Sequence, residues 1–262
     1  MHNIVFYVVY YSKGKRLRWF RPLPEHVGMK IRSRQELGTL AWNPQVYGRS
    51  NLGLPLDVWL PEGACRLLLH AGIHGEEGET TVALSNALRH LAGPSPGCAV
   101  VLAANPDGLI RGTRANARGV DLNRNFPTQD WSPDPVYNRY TMDAPRDVAF
   151  SPGVGPGSEA ETQALMSLIK ELNPEAVVAL HAPLACIDNA GEGRLGRWLA
   201  ERTGLPLVSD VGYPTPGSFG TWGGEQGIDV VTYEFEMVGK DDIVNRHVPV
   251  LLELLTGACP WF

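Results

Sequence analysis

The sequence CRLLLHAGIHGEEGET, residues 65–80, decides the fold prediction. It begins with an apolar run over residues 65–71 that is typical of a buried strand, and glycines follow directly. Apolar side chains then recur at helical spacing over residues 75–91. A buried strand that leads through a glycine-rich turn into a helix is the repeating unit of α/β folds.

The same alternation continues along the rest of the chain. Further strands are predicted over residues 56–60, 98–104, 176–181, 205–209 and 228–236, and further helices over residues 158–172, 195–203 and 241–255. Ser158, with Glu161 three residues later, forms a capping-box pattern at the first of these helices. We therefore predict an α/β fold with a mostly parallel, mixed sheet flanked by helices.

The domain prediction follows from the absence of any linker after residue 45. Residues 46–262 are predicted to form a single domain, whereas residues 1–45 show no clear pattern and are interpreted as an N-terminal extension. The net charge of −5 and the lack of a basic motif argue against nucleic-acid and membrane partners. The apolar run at residues 4–11 precedes the basic residues, which is the reverse of a signal peptide, so a cytoplasmic protein is expected.

Three residues at strand ends are candidate metal ligands. His74 and Glu77 lie three apart where a helix begins, and His181 ends the predicted strand 176–181. Ligands of open α/β sheets bind beyond the carboxyl ends of the strands, and imidazole and carboxylate groups suit zinc. A bare H-x-x-E pattern also arises by chance, and a histidine that ends an apolar strand is more often a packed core residue. The coincidence of all three at equivalent strand ends favours a metal site.

The loop NPDGLIRGTRANARGVDLNRNFP, residues 105–127, is a second candidate region. It follows a predicted strand, and loops longer than about 12–15 residues tend to be functional or disordered. Guanidinium and amide groups can bind a carboxylate and polarise a carbonyl, although a solvated surface loop is the alternative. The side chains concerned are Arg111, Arg114, Arg118, Arg124, Asn105, Asn116, Asn123 and Asn125.

These motifs resemble the M14-type zinc carboxypeptidase family. The segments that carry the resemblance are HGEE at 74–77, NPDG at 105–108, RANARGVDLNRNFP at 114–127 and LHAP at 180–183. The resemblance implies a three-layer fold in which residues 46–262 form a zinc peptidase catalytic domain. It also implies that His74, Glu77 and His181 bind one zinc ion per chain.

The resemblance also assigns roles around the metal. Arg114 is expected to polarise the scissile carbonyl, and Asn123 and Arg124 to bind the free carboxylate of a small peptide substrate. The general base is expected to be Glu234 in VVTYEFE, residues 230–236. Glu236 lies on the same side of an extended strand, so periodicity alone does not choose between them. The family's T-x-E pattern followed by an apolar residue matches Glu234.

A tyrosine of the substrate pocket is also expected from the resemblance. The family carries it on a segment similar to YPTPGSFGTW, residues 213–222, which makes Tyr213 a candidate substrate-binding residue. A loop tyrosine beside two prolines with no such role is an equally good interpretation.

Three further runs resemble the murein peptide amidase subfamily. They are PGSEAETQAL at 156–165, HAPLACI at 181–187 and GYPTPGSFGTW at 212–222. Enzymes of this subfamily are cytoplasmic and cleave the γ-D-glutamyl–meso-diaminopimelate bond of murein tripeptide in peptidoglycan recycling. The resemblance covers residues 47–235, and EMV at residues 236–238 departs from the proline-rich stretch expected there.

Other functions remain open from the sequence. A general metallocarboxypeptidase acting on C-terminal residues shares the site, and an aspartoacylase or succinylglutamate desuccinylase type of deacylase shares the H-x-x-E and N-R elements. A non-catalytic binding protein with a degenerate zinc site is the alternative from another class. The oligomeric state is not predicted.

Overall fold

The computed structural model describes residues 31–138 and 148–260, so most of the predicted N-terminal extension lies outside the described residues. Within these residues the strands are β1 (Gln45–Arg49), β2 (Pro55–Val58), β3 (Leu67–His70), β4 (Cys98–Val101), β5 (Val136–Asn138), β6 (Val148–Phe150), β7 (Ala176–His181), β8 (Ile187–Asp188), β9 (Leu207–Val208) and β10 (Asp229–Glu234). The helices are α1 (Gly78–Arg89), α2 (Pro106–Arg111), α3 (Ala160–Leu172), α4 (Arg194–Thr203), α5 (Phe219–Glu225) and α6 (Lys240–Leu255).

The central sheet has the strand order β4-β3-β7-β10-β8-β9 within the described part of the chain. β4, β3, β7 and β10 are parallel, whereas β8 runs antiparallel to β10 and pairs in parallel with β9. The prediction of a mostly parallel, mixed sheet is therefore confirmed. β1 and β2 form a separate antiparallel pair, as do β5 and β6.

Helices cover both faces of this sheet, which gives three layers. On one face, α1, α4 and α6 pack around Val178 and Leu180 of β7. On the other face, α3 and α5 pack around Val177 and Ala179 of the same strand. All six residues of β7 are buried because both faces of the strand are covered, and this explains its uninterrupted apolar sequence.

Several predicted boundaries are confirmed, but the predicted capping box is wrong. β7 spans residues 176–181 as predicted, and α4 and α6 each begin one residue before the predicted position. α3 begins at Ala160, and Glu159 occupies the position before it without a side-chain capping bond. The Ser158 hydroxyl instead donates to the Glu159 carboxylate (2.8 Å) and accepts from the Asn125 amide (3.1 Å).

α5 was not predicted because glycines interrupt its pattern. Gly220, Gly223 and Gly224 lie within this short helix, and glycine is a poor helix former. A Cβ at Gly223 would lie 2.3 Å from Val230 Cγ2, so the missing side chain allows α5 to approach β10 closely. α2 is a second helix that the sequence did not predict, since it lies within the loop expected over residues 105–127.

His247 lies within α6 and is buried. It is only 2% exposed, and its ring stacks on Phe235 with 4.0 Å between ring centroids. The Tyr233 hydroxyl lies 2.5 Å from His247 Nδ1, so α6 is joined to the end of β10 by polar as well as apolar contacts.

None of the helices in residues 31–138 and 148–260 combines the length and the hydropathy needed to cross a bilayer.

Candidate active site

The site lies where three neighbouring parallel strands end. β3 leads into the turn that carries His74 and Glu77, β7 ends at His181, and β10 ends at Glu234. His181 and Glu234 are direct partners in the β7–β10 register. The topology therefore brings together four residues that are up to 160 positions apart in the chain.

The three predicted metal ligands converge on one point. His74 Nδ1 lies 2.7 Å from Glu77 Oε1, and His181 Nδ1 lies 3.1 Å from Glu77 Oε2. Their ligand atoms all lie within 4.8 Å of one another, and all three residues are buried. Two imidazole nitrogens and one carboxylate form a donor set of a catalytic zinc site, so the residues present fit the metal.

The charges around Glu77 favour the deprotonated form of its carboxylate. Burial by itself raises the pKa of Glu77, but His74 and His181 outweigh burial and hold it below its ordinary value. A carboxylate that stays ionised in a buried position is suited to hold a cation.

Asp121 is a site residue that the sequence interpretation missed. One of its carboxylate oxygens lies 3.3 Å from His74 Nε2, and the other accepts a hydrogen bond from Arg114 Nε at 2.8 Å. Burial raises the pKa of Asp121, but Arg114 and His74 lower it by more, to well below its ordinary range. A carboxylate behind a ligating histidine fixes the orientation and tautomer of the ring.

Arg114 is held against the candidate metal site by the NPDG turn. The Arg114 carbonyl accepts hydrogen bonds from Gly75 N–H and Asn105 Nδ2, both at 3.3 Å. Gly75 is necessary here because a Cβ on it would lie 2.1 Å from the carbonyl carbon of Gly108. Arg114 Nη1 then lies 3.7 Å from Glu77 Oε1, so the guanidinium faces the candidate metal ligands.

The electrostatic balance keeps Arg114 charged. Burial lowers its pKa, but the carboxylates of Asp121 and Glu77 raise it by more, so the net pKa lies above the ordinary value. A permanent, partly buried cation beside a reacting centre can stabilise a developing oxyanion.

Asn123 and Arg124 lie on the 3₁₀ turn Leu122–Arg124. The Asp121 carboxylate caps this turn by accepting the Asn123 N–H at 3.0 Å. Asn123 Oδ1 accepts the Phe219 N–H at 2.8 Å, which directs the donor end of the amide away from α5. Arg124 is buried, and its Nη1 donates to the Asn123 carbonyl at 2.6 Å.

Glu234 and Glu236 have different surroundings. Glu234 is buried, and Oε2 accepts the Leu184 N–H at 3.2 Å. Burial raises the pKa of Glu234, and His181 opposes this shift only in part. β10 ends at Glu234, so strand alternation does not extend to Glu236.

Glu236 instead contacts α6. Its carboxylate oxygens lie 2.6 Å from Arg246 Nη1 and 2.8 Å from His247 Nε2. Burial raises the pKa of Glu236, but its own backbone N–H, Arg246 and His247 lower it by more. Glu236, which periodicity alone does not distinguish from Glu234, therefore forms a contact with α6.

One short segment passes around the end of β10. The chain leaves β7 at His181, passes Leu184 and Cys186, and returns as β8 on the far side of β10. The Cys186 carbonyl accepts the Glu234 N–H at 2.9 Å, and Leu184 pairs with Glu236. Both flanks of Glu234 are thus held by the same stretch of chain.

Tyr213 lies on the loop between β9 and α5 and is 39% exposed, unlike the buried ligand residues. Asp210, on the same loop, accepts the Gly212 N–H at 2.7 Å and so shapes the turn before Tyr213.

Comparisons with known proteins agree with this geometry. The zinc carboxypeptidase family profile matches residues 61–185. Murein peptide amidase A of Escherichia coli (strain K12) is 44% identical over 228 residues, which cover 86% of this chain and 94% of that protein. Murein peptide amidase A of Vibrio campbellii is 39% identical over 235 residues, with coverage of 88% and 94%.

Solved structures extend the comparison to the fold. The crystal structure of murein-tripeptide amidase MpaA from Escherichia coli O157 matches with a TM-score of 0.84 and 43% identity, over 86% of this chain and 97% of that one. Thrombin activatable fibrinolysis inhibitor matches with a TM-score of 0.59 and 17% identity, over 80% and 69%. The second likeness concerns the fold alone.

Proposed function

The chain belongs to the zinc carboxypeptidase family and, within it, to the murein peptide amidases, and we propose that it hydrolyses the γ-D-glutamyl–meso-diaminopimelate bond of murein tripeptide. The observation that carries this proposal is 44% identity across 94% of a murein peptide amidase, together with the converging His74, Glu77 and His181. A general carboxypeptidase and an acyl-amino-acid deacylase are the alternatives that the experiment below separates.

We propose that His74, Glu77 and His181 hold one zinc ion per chain. When bound at such a site, zinc lowers the pKa of water toward about 7 and polarises a carbonyl. Asp121 supports this assignment because it fixes the His74 ring from behind, as carboxylates behind zinc-bound histidines do.

Glu234 is the proposed general base and acid. It accepts the proton of the attacking water and returns it to the nitrogen of the leaving amine. Its burial favours this role, since a raised carboxyl pKa brings the group closer to the pH at which it must both take up and release a proton. Glu236 is the poorer candidate because its carboxylate contacts Arg246 and His247.

Three further residues are proposed to bind and orient the substrate. Arg114 faces the metal ligands and stabilises the negative charge that develops on the scissile carbonyl oxygen. Asn123 and Arg124 bind the carboxylate next to the scissile amide, a task for which the planar guanidinium is suited. Tyr213 is proposed to contact the substrate from the exposed loop beside the site.

The biological setting is part of the same proposal. We place the enzyme in the cytoplasm, in peptidoglycan recycling, with residues 46–262 as its catalytic domain. All four cysteines are free thiols, as is usual in a reducing compartment. The proposed substrate of the enzyme is a small peptide with a free carboxylate.

The test is hydrolysis of L-Ala-γ-D-Glu-meso-diaminopimelate by the purified protein. Release of diaminopimelate is measured with and without a chelator, and after zinc is added back. Cleavage of an α-linked peptide of similar charge and of an N-acyl amino acid is measured under the same conditions. We expect release from the γ-linked tripeptide alone, abolished by the chelator and restored by zinc.

Other results would change the assignment. Cleavage of only the α-linked peptide would favour a general carboxypeptidase, whereas cleavage of an N-acyl amino acid would favour a deacylase. Zinc bound without turnover of any of the three substrates would favour a binding protein.

A further inference from the structure

Strand register places Asp188 on the same face of the sheet as Glu234. Ile187 pairs with Tyr233 of β10, and both side chains are fully buried in the core on the face that α1, α4 and α6 cover. Asp188 pairs with Thr232, and successive side chains of a strand point to opposite faces. Asp188 therefore shares the face that carries Glu234, two residues beyond Thr232.

The surroundings of Asp188 favour a positively charged ligand. Its carboxylate is half-buried, and within residues 31–138 and 148–260 it has neither a hydrogen bond nor an ion pair with Lys or Arg. Burial raises the pKa of Asp188, the nearby Asp210 raises it further, and only His181 opposes them. A carboxylate partly removed from water without a partner is unfavourable, and a cation supplied by the substrate would relieve that cost.

The distance to the reacting centre fits the leaving group. With strands about 4.8 Å apart and a rise of about 3.3 Å per residue, the Cα atoms of Asp188 and Glu234 lie about 8 Å apart. Six single bonds separate the two nitrogens of meso-diaminopimelate, and at about 1.5 Å per bond they span roughly 7 Å when extended. If one nitrogen takes its proton from Glu234, the other reaches the neighbourhood of Asp188.

We propose that Asp188 binds the distal ammonium group of the diaminopimelate residue and thereby selects for a leaving group that carries an ammonium group at its far end. This inference rests on the proposed function, because the ammonium belongs to the proposed substrate. Asp188 acts on the far end of the leaving group, so it determines selectivity and takes no part in the proton transfers.

The experiment compares two substrates on each enzyme preparation. One is L-Ala-γ-D-Glu-meso-diaminopimelate, and the other carries L-2-aminopimelate instead, which keeps the chain length and distal carboxylate but lacks the distal ammonium. The measured quantity is the ratio of their kcat/KM values. Because both substrates are assayed on one preparation, the fraction of folded enzyme cancels from the ratio.

We expect the wild-type enzyme to prefer the diaminopimelate peptide and Asp188→Asn to reduce that preference by roughly 10- to 100-fold, the range of a hydrogen bond to a charged group. The loss should arise from the diaminopimelate peptide alone. Asp188→Glu, which keeps the negative charge, should retain part of the preference.

A matched control variant and a variant of the neighbouring Asp210 complete the design. Asp57→Asn removes another half-buried carboxylate, on β2 and outside the central sheet, and should leave the ratio unchanged. The inference would be overturned if Asp188→Asn left the ratio unchanged, whether activity stayed the same or fell equally on both substrates. It would also be overturned if Asp210→Asn reduced the ratio and Asp188→Asn did not. If the wild-type enzyme cleaves neither peptide, the proposed function itself fails.

Discussion

Replacing Glu234 by Gln tests the assignment of the general base. The amide has nearly the same shape as the carboxylate, and its carbonyl oxygen can still accept the Leu184 N–H that now binds Oε2. The change therefore removes the ability to accept a proton while it preserves the local structure. Zinc should remain bound, since none of the three proposed ligands is altered.

The expected loss is large. General acid–base catalysis contributes about 10²- to 10⁴-fold, so kcat should fall by about that factor. At 1.36 kcal/mol per tenfold change this corresponds to about 3 to 5 kcal/mol of transition-state stabilisation. The KM should change little, because Glu234 is not one of the proposed carboxylate-binding residues.

Glu236→Gln is the matched control. It weakens contacts to Arg246 and His247, and the Arg246 side chain is 53% exposed, so an ion pair to it contributes about 1 kcal/mol or less. The assay is diaminopimelate release, with zinc content and thermal unfolding measured for both variants. If Glu234→Gln keeps a tenth of the wild-type activity while Glu236→Gln is inactive, the assignment of Glu234 as the general base from its burial and register is refuted.

Three further predictions concern the substrate, the metal and pH. Arg124→Lys should raise KM for the tripeptide about tenfold or more with little change in kcat, because an ammonium cannot form the bidentate pair; steady-state kinetics showing an unchanged KM would remove Arg124 from the carboxylate site. Asp121→Asn should weaken zinc binding about 10- to 100-fold in competition with a chromophoric chelator, and equal affinity would show that Asp121 does not support His74. Burial lowers the pKa of His247 although Glu236 opposes it, so the unfolded chain binds its proton more readily and stability should fall as pH drops below about 6.5. His247→Gln should reduce the drop in Tm between pH 7.5 and 5.5, and an identical drop would contradict this assignment.

Much of the fold was predictable because its central strands are buried on both faces. The apolar runs that became β3, β4 and β7 are short and continuous, and strands of that kind stop where the polar residues of the site begin. The positions of the candidate metal ligands were predictable for the same reason, since His181 directly ends β7 and His74 follows β3 after a short turn.

The missed features depend on contacts that have no local pattern. Asp121 lies in a loop, and its importance comes from the approach of His74 and Arg114, which only the folded chain reveals. Asp188 belongs to a strand of two residues, too short to show alternation. α5 is rich in glycine because it packs closely on β10, so the feature that makes the contact possible also weakens its helical signal.

The segment from His181 to Asp188 has an evolutionary consequence. It joins two strands on opposite sides of β10 and carries a proposed metal ligand at one end and a proposed selectivity residue at the other. A shift of β8 by one residue against Thr232 would turn Asp188 to the opposite face of the sheet. Insertion or deletion of a single residue between Cys186 and Asp188 is thus a short evolutionary route to a different surface at the far end of the leaving group, as long as Leu184 and Cys186 keep their contacts with Glu234.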